Sequence, residues 1–250
     1  MNNIQFSVLS YYPSIISEEN IVVGILFYIE ETGQRSFYST QNLRRLSSFD
    51  DELDMDFIKS YLSGIKEDWE ESLFGTGRDV SVSDFIYNFG NELRFNGVMQ
   101  AKVSNVEDFI NETKMMYLRY DYNKNERPSD DKIKHYMRKL LRQNSIKFST
   151  LSVSGGFEEN VNYDFVTNGY GFKSFVIEEG QDVRRNFLIY KGWSYTALKN
   201  KDKKLETVFV VDSDRMDDNY QIVCSILREN ARIIRSSEVL PFVQEIKKTS

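Results

Sequence analysis

Residues 206–234 read ETVFVVDSDRMDDNYQIVCSILRENARII. Val208 to Val211 is a run of β-branched and aromatic residues that ends in Asp212-Ser-Asp214. Ile222, Ile226 and Leu227 then share one helix face with Cys224, and Arg232–Ile234 turns β-branched again. A strand over 206–211, a helix over 219–229 and a strand over 232–234 decide the class: helices alternate with sheet, so the fold is α/β (α+β) and its core is built in layers.

Working outward, strands are predicted at Lys147–Val153, Val161–Thr167 and Gly171–Ile177, a helix at Val183–Leu198, and a last helix from Ser237. Asp130–Gln143 reads as a basic amphipathic helix. Ile133, Met137, Leu140 and Leu141 form its apolar face, with Lys132, His135, Lys139 and Arg142 along another. Asp121–Ser129 (DYNKNERPS) is polar, lacks periodicity and contains Pro128, so it is the best boundary in the chain. The expected organisation is a domain over 1–120, a linker over 121–129 and a domain over 130–250. In the first of these, Ile4–Tyr11, Ile21–Ile29 and Arg35–Ser39 read as a meander. Helices follow at Asp54–Leu73, Ser83–Phe89 and Val106–Tyr120, giving an antiparallel sheet with packed helices.

Composition narrows the function classes. Eighteen Phe and 15 Tyr with only three Pro suit sheets packed under helices and exclude a low-complexity chain. The longest apolar run, Ile21–Ile29, is far short of the roughly 20 residues that cross a bilayer, and no basic-then-apolar leader opens the chain; a cytoplasmic protein without a membrane partner is expected. One cysteine, Cys224, and one histidine, His135, exclude an internal disulfide and Cys- or His-based metal cages, so any bound metal would need carboxylates. No cofactor is demanded; Mg²⁺ is the one expected if the chain is an enzyme.

The net charge of −6 is unevenly divided: residues 1–128 hold 12 basic and 21 acidic side chains, residues 129–250 hold 20 and 17. The second half could therefore meet a polyanion, or carry an ordinary solvated surface. The nucleic-acid-binding candidates are Lys132, Lys134, Arg138, Lys139 and Arg142 on the first basic helix and Arg184, Arg185 and Lys191 on the next.

Phe6-Ser7-Val8-Leu9, Tyr12-Pro13, Glu18-Glu19-Asn20 and Val23-Gly24-Ile25-Leu26 resemble the opening of the bacterial Domain of Unknown Function 3037 family. The likeness continues at Leu53-Asp54-Met55-Asp56-Phe57 and, more weakly, to about residue 120. It implies a fold and no settled activity. Glu18 and Glu19 read either as site residues or as a turn entering a buried strand.

The second half is similar to two nuclease patterns. In the restriction-endonuclease-like core an Asp on one strand and an acidic-x-Lys pair on the next hold Mg²⁺ and activate water. Asp164 and Lys173 match, as catalytic candidates, but Gly171 stands where the second acid belongs, which implies a degenerate fold that binds and does not cut. In the topoisomerase-primase (Toprim) pattern a strand ends in Glu-Gly and a later one in Asp-x-Asp. Here Glu179, Asp212 and Asp214 would be the metal ligands. Gly75-x-Gly77 lacks the rest of a phosphate loop, and no Ser, His or Cys has a partner that nominates it as a nucleophile. Trp193 and Tyr195 are expected in the core.

The leading expectation is a nucleic-acid-binding or partner-regulating component of a bacterial anti-phage defence or mobile-element system, catalytically degenerate. The alternatives are a Mg²⁺-dependent, Toprim-like nuclease and a pure protein-interaction module. DNA or RNA and another protein are the expected partners, with self-association open.

Overall fold

The computed structural model describes residues 1–14, 19–71, 80–155, 160–177, 183–213 and 218–249, with the side chains of 183–185 and 248–249 also outside the description. The chain divides into two units, Met1–Ser129 and Asp130–Ser250.

In the first unit, β1 (Asn2–Tyr11), β2 (Ile21–Ile29) and β3 (Gln34–Ser39) form the antiparallel meander read from the sequence. Helix α1 (Leu43–Phe49), α2 (Met55–Glu70) and α3 (Val82–Tyr87) follow. Then β4 (Leu93–Phe95) and β5 (Met99–Val103) pair in succession along the free edge of β1, before α4 (Val106–Tyr117). Ile58, Leu62, Ile65 and Trp69 recur every three or four residues along α2 and are all buried against Leu9, Val23 and Phe37. Asp54 caps that helix by accepting the Asp56 and Phe57 N–H groups. Phe6, which alternates with Leu9 across the strand, packs instead on Phe109 and Tyr117 around α4. Gly24 in β2 has a steric reason: a Cβ there would stand 2.5 Å from the Phe37 ring.

Asp121 does not begin a free linker. It closes a 3-10 turn, Arg119–Asp121, and its carboxylate accepts the Thr40 hydroxyl (2.6 Å) and the Gln41 N–H (2.8 Å). Helix α1 and strands β4 and β5 are absent from the expected order. Each is short, and α1 buries only Leu46.

The second unit opens with α5 (Asp130–Gln143) and a two-stranded hairpin, β6 (Ser152–Ser154) with β7 (Asn160–Asn162). A four-stranded mixed sheet follows: β8 (Phe165–Thr167) antiparallel to β9 (Tyr170–Ile177), then β10 (Glu206–Ser213) and β11 (Arg232–Ile234) parallel to it. The long helix α6 (Val183–Lys201) links β9 to β10, α7 (Asp218–Arg228) links β10 to β11, and α8 (Val239–Thr249) closes the chain. Strand alternation sorts the layers. Phe172 faces Phe242 of α8, with α5 beside it, whereas Lys173 and Phe175 face Trp193 of α6, which packs with α7. The expected strand at 147–153 shrinks to 152–154, and the residues before it meet the sheet through a bridge from Ser149 to Val166 and the Thr167 hydroxyl on the Lys147 carbonyl (2.8 Å). The expected strand at 161–167 splits at Tyr163-Asp164. Trp193 is in the core as expected, but Tyr195 is not. Two residues along a helix turn about 200°, so with Trp193 buried Tyr195 points outward, 52% exposed.

Candidate functional site

The split at Asp164 creates the most charged interior position of the second unit. Its backbone N–H donates to the Phe172 carbonyl (2.8 Å), the last rung between β8 and β9. Beyond that rung the chain turns away, and the carboxylate takes over the missing strand's role: Oδ2 accepts the Ser174 N–H at 2.6 Å. Oδ1 lies 3.5 Å from Lys134 Nζ and 3.8 Å from Lys173 Nζ. The Asp164 carbonyl accepts Arg138 Nη2 at 2.7 Å and Nε at 3.2 Å.

Local sequence explains the convergence. Lys134 and Arg138 are one helical turn apart on α5 and border its buried stripe, so both aim at the same point. Lys173 alternates with Phe172 and lies over the Trp193 ring, 4.9 Å from its centroid, with Nζ 3.4 Å from the Asn162 carbonyl. Burial pushes the Lys173 ammonium below the usual lysine range; Asp164 opposes that shift and Lys134 adds to it. Asp164 is 6% exposed, and a carboxylate so buried persists only when paired and hydrogen-bonded, as this one is. The Ser174 hydroxyl is buried without a hydrogen-bond partner.

Asp164 and Lys173, the two catalytic candidates, therefore do meet. What surrounds them suits a metal poorly: the carboxylate oxygen that would face the ion already faces two ammonium groups. Gly171, at the position of the second acid, is closed by the Tyr163 ring, which a Cβ there would approach to 3.0 Å. Among the described residues no three Asp, Glu, His or Cys side chains are grouped as metal ligands. Of the Toprim-type candidates, Glu179 and Asp214 lie outside the described residues. Asp212 stands near the carboxyl end of β10, where its Oδ1 accepts the Ser236 N–H at 3.3 Å.

Among the described side chains the basic candidates do not form one surface. Lys134 and Arg138 turn inward to Asp164. Lys132 and Arg142 are exposed on α5 with His135 between them, Lys139 is half-buried, and the Arg142 guanidinium rests 5.3 Å from the Phe148 centroid. Lys191 is on α6, across the sheet, and pairs with Glu229 at 3.1 Å. Arg184 and Arg185 belong to the first turn of α6, but their side chains are outside the description. In the first unit Glu18 is likewise outside it, and Glu19 is half-buried. Cys224 is buried filler among Val223, Ile226 and Leu227. Ile222 does not share that face: it is turned about 200° from Cys224 around the helix and is 43% exposed.

Two features escaped the sequence reading. A cavity of about 260 Å³, lined in part by Tyr170, Glu206, Arg228 and Arg232, opens at the amino ends of β9 and β10, away from the carboxyl ends where parallel sheets usually present ligands. The inward role of Lys134 and Arg138 did have a signal, since their four-residue spacing runs beside Ile133, Met137 and Leu141.

Against known proteins, residues 6–85 match the family described as Protein of unknown function (DUF3037). The resemblance is thus shown for the strand–strand–strand–helix part of the first unit; the match ends within α3 and does not reach the second unit. No curated protein and no solved structure matches the chain. Among the described residues no helix is long and apolar enough to cross a membrane.

Proposed function

We propose that the second unit binds a nucleic acid without cutting it, and that the protein serves as a nucleic-acid-binding component of a bacterial defence or mobile-element system. The observation that carries the non-cutting part is the Asp164 cluster. Its carboxylate is neutralised from both sides by Lys134 and Lys173, and the neighbouring acid position is a glycine sealed by Tyr163. Binding is assigned to the outer face of α5, where Lys132, His135 and Arg142 remain open to solvent. The defence or mobile-element setting rests on resemblance alone.

The test uses the full chain and short DNA and RNA duplexes in a gel-shift titration. Retention should be strong at low salt and fall as salt rises, each phosphate contact adding about 0.9 to the log–log slope. Lys132→Glu with Arg142→Glu should abolish retention without unfolding the protein. Retention that survives this change sinks the assignment to α5. Metal-dependent cleavage that disappears in Asp212→Asn would establish the Toprim-like nuclease in its place.

A second reading, regulation of a protein partner, is favoured by α6. Leu188 is 74% exposed, and Ile189, Tyr195 and Leu198 are also largely open, an apolar face that a solvated helix seldom carries. It predicts no salt-sensitive retention of DNA or RNA, and a partner lost on Leu188→Asp.

A further inference from the structure

The first unit carries an excess of acid, yet three of its arginines converge on one aromatic ring. The guanidinium carbons of Arg45, Arg127 and Arg119 lie 4.1, 5.0 and 5.3 Å from the Tyr120 ring centroid. The fold brings them together from three places: Arg45 one turn into α1, Arg119 and Tyr120 in the 3-10 turn after α4, and Arg127 in the loop that follows. Asn42, the cap of α1, fixes the junction by donating its side-chain amide to the Tyr120 carbonyl at 2.9 Å.

Arg119 is the anomaly. It is 5% exposed, and its Nε and Nη1 are buried without any hydrogen-bond partner. A guanidinium is charged at every accessible pH and offers five N–H donors, so burial without an acceptor is strongly unfavourable. The carboxylates nearest in sequence are already engaged: Asp121 accepts from the Thr40 hydroxyl and the Gln41 and Asn42 N–H groups, and Glu126 accepts the Asn123 N–H. Arg45 and Arg127 are half-buried beside it, and Arg127 Nε donates to the Tyr122 carbonyl at 3.1 Å.

We infer that Arg119, Arg45 and Arg127 form an anion site for a phosphate dianion, either free or carried on a small metabolite. The planar fork of arginine matches phosphate oxygens, and a dianion can answer more than one guanidinium at once. This site is in the first unit, with only Arg45 of the three arginines inside the matched residues 6–85, and is independent of the nucleic-acid reading of the second.

The probe is inorganic phosphate, titrated calorimetrically into the full chain at constant ionic strength set with chloride, with AMP and acetate as parallel arms. One site is expected. Affinity should fall at least ten-fold in Arg119→Met and in Arg127→Gln, and should be unchanged in Lys59→Gln, an exposed cation of α2 outside the cluster. AMP equal to phosphate assigns the phosphate group alone; AMP tighter than phosphate assigns a nucleotide. Absence of phosphate binding, acetate binding as tight as phosphate, or phosphate affinity unchanged in Arg119→Met overturns the site. Should Arg119→Met fail to fold, Arg127→Gln decides by the same criterion.

Discussion

Asp164 and Arg119 are both charged, both more than nine-tenths buried and both placed by a break in regular structure, yet their surroundings are opposite. Asp164 sits where an edge strand ends and collects two ammonium groups and a backbone N–H. Arg119 sits in a turn between a helix and a loop beside the Tyr120 ring, with no acceptor among the described residues for its buried Nε and Nη1. A buried charge that the fold itself compensates is part of the scaffold. One that the fold leaves uncompensated is costly, and it is there that the anion is proposed to bind.

Asp164→Ala leaves Lys134 and Lys173 facing each other and strips the Ser174 N–H of its acceptor, so the second unit should lose about 3–5 kcal/mol in a denaturant melt. A loss below about 1 kcal/mol would return Asp164 to the list of catalytic candidates. Gly171→Ala comes next. Its new methyl is forced against the Tyr163 ring, and the cost should be about 1–3 kcal/mol, measured in the same way.

Alkaline pH tests the second unit without mutation. Lys173 titrates below its ordinary 10.5 when folded, so between those values the unfolded chain holds more protons and stability rises with pH. Tyr220 is buried and pushed up from 10.0 to about 12, with Arg235 opposing the shift. Above pH 10 the folded chain therefore holds the extra proton and stability falls. Melts between pH 9 and 12 should show the fall soften by roughly 1–3 kcal/mol in Tyr220→Phe. Arg119→Met should lie near zero or be stabilising in phosphate-free buffer, because it removes an uncompensated buried cation, whereas a loss of several kcal/mol would place Arg119 with Asp164 as scaffold. The smallest effect belongs to Lys191→Ala: its pair with Glu229 is solvent-exposed at both ends and should contribute no more than about 0.5 kcal/mol by thermal melting.

Periodicity carried most of the fold. The spans 21–29, 130–143 and 232–234 stand as read, because a dense β-branched run and a strong apolar stripe each decide an element locally. The four-residue step from Lys134 to Arg138 and the residues Asp164 and Lys173 were visible as a pattern. Their mutual distances were not, since a helix, a strand end and a neighbouring strand meet there only after the sheet has formed. Short elements were the weak point: α1 buries one residue, too few for a helical period to declare itself, whereas β5 does alternate, with Met99, Ala101 and Val103 buried, and was legible as a strand.

By itself the sequence determined the class, the order of the major elements, the acidic first half and the glycine at 171. These are properties of composition and spacing, written along the chain. Only the tertiary structure decided which charges would be silenced and which left standing. Lys134 and Lys173 are cations like any others until folding puts one carboxylate between them, and Arg119 is ordinary until folding buries it without one. The physical reason is that pairing depends on distance in space and on the loss of water around each group, and neither quantity is local in sequence.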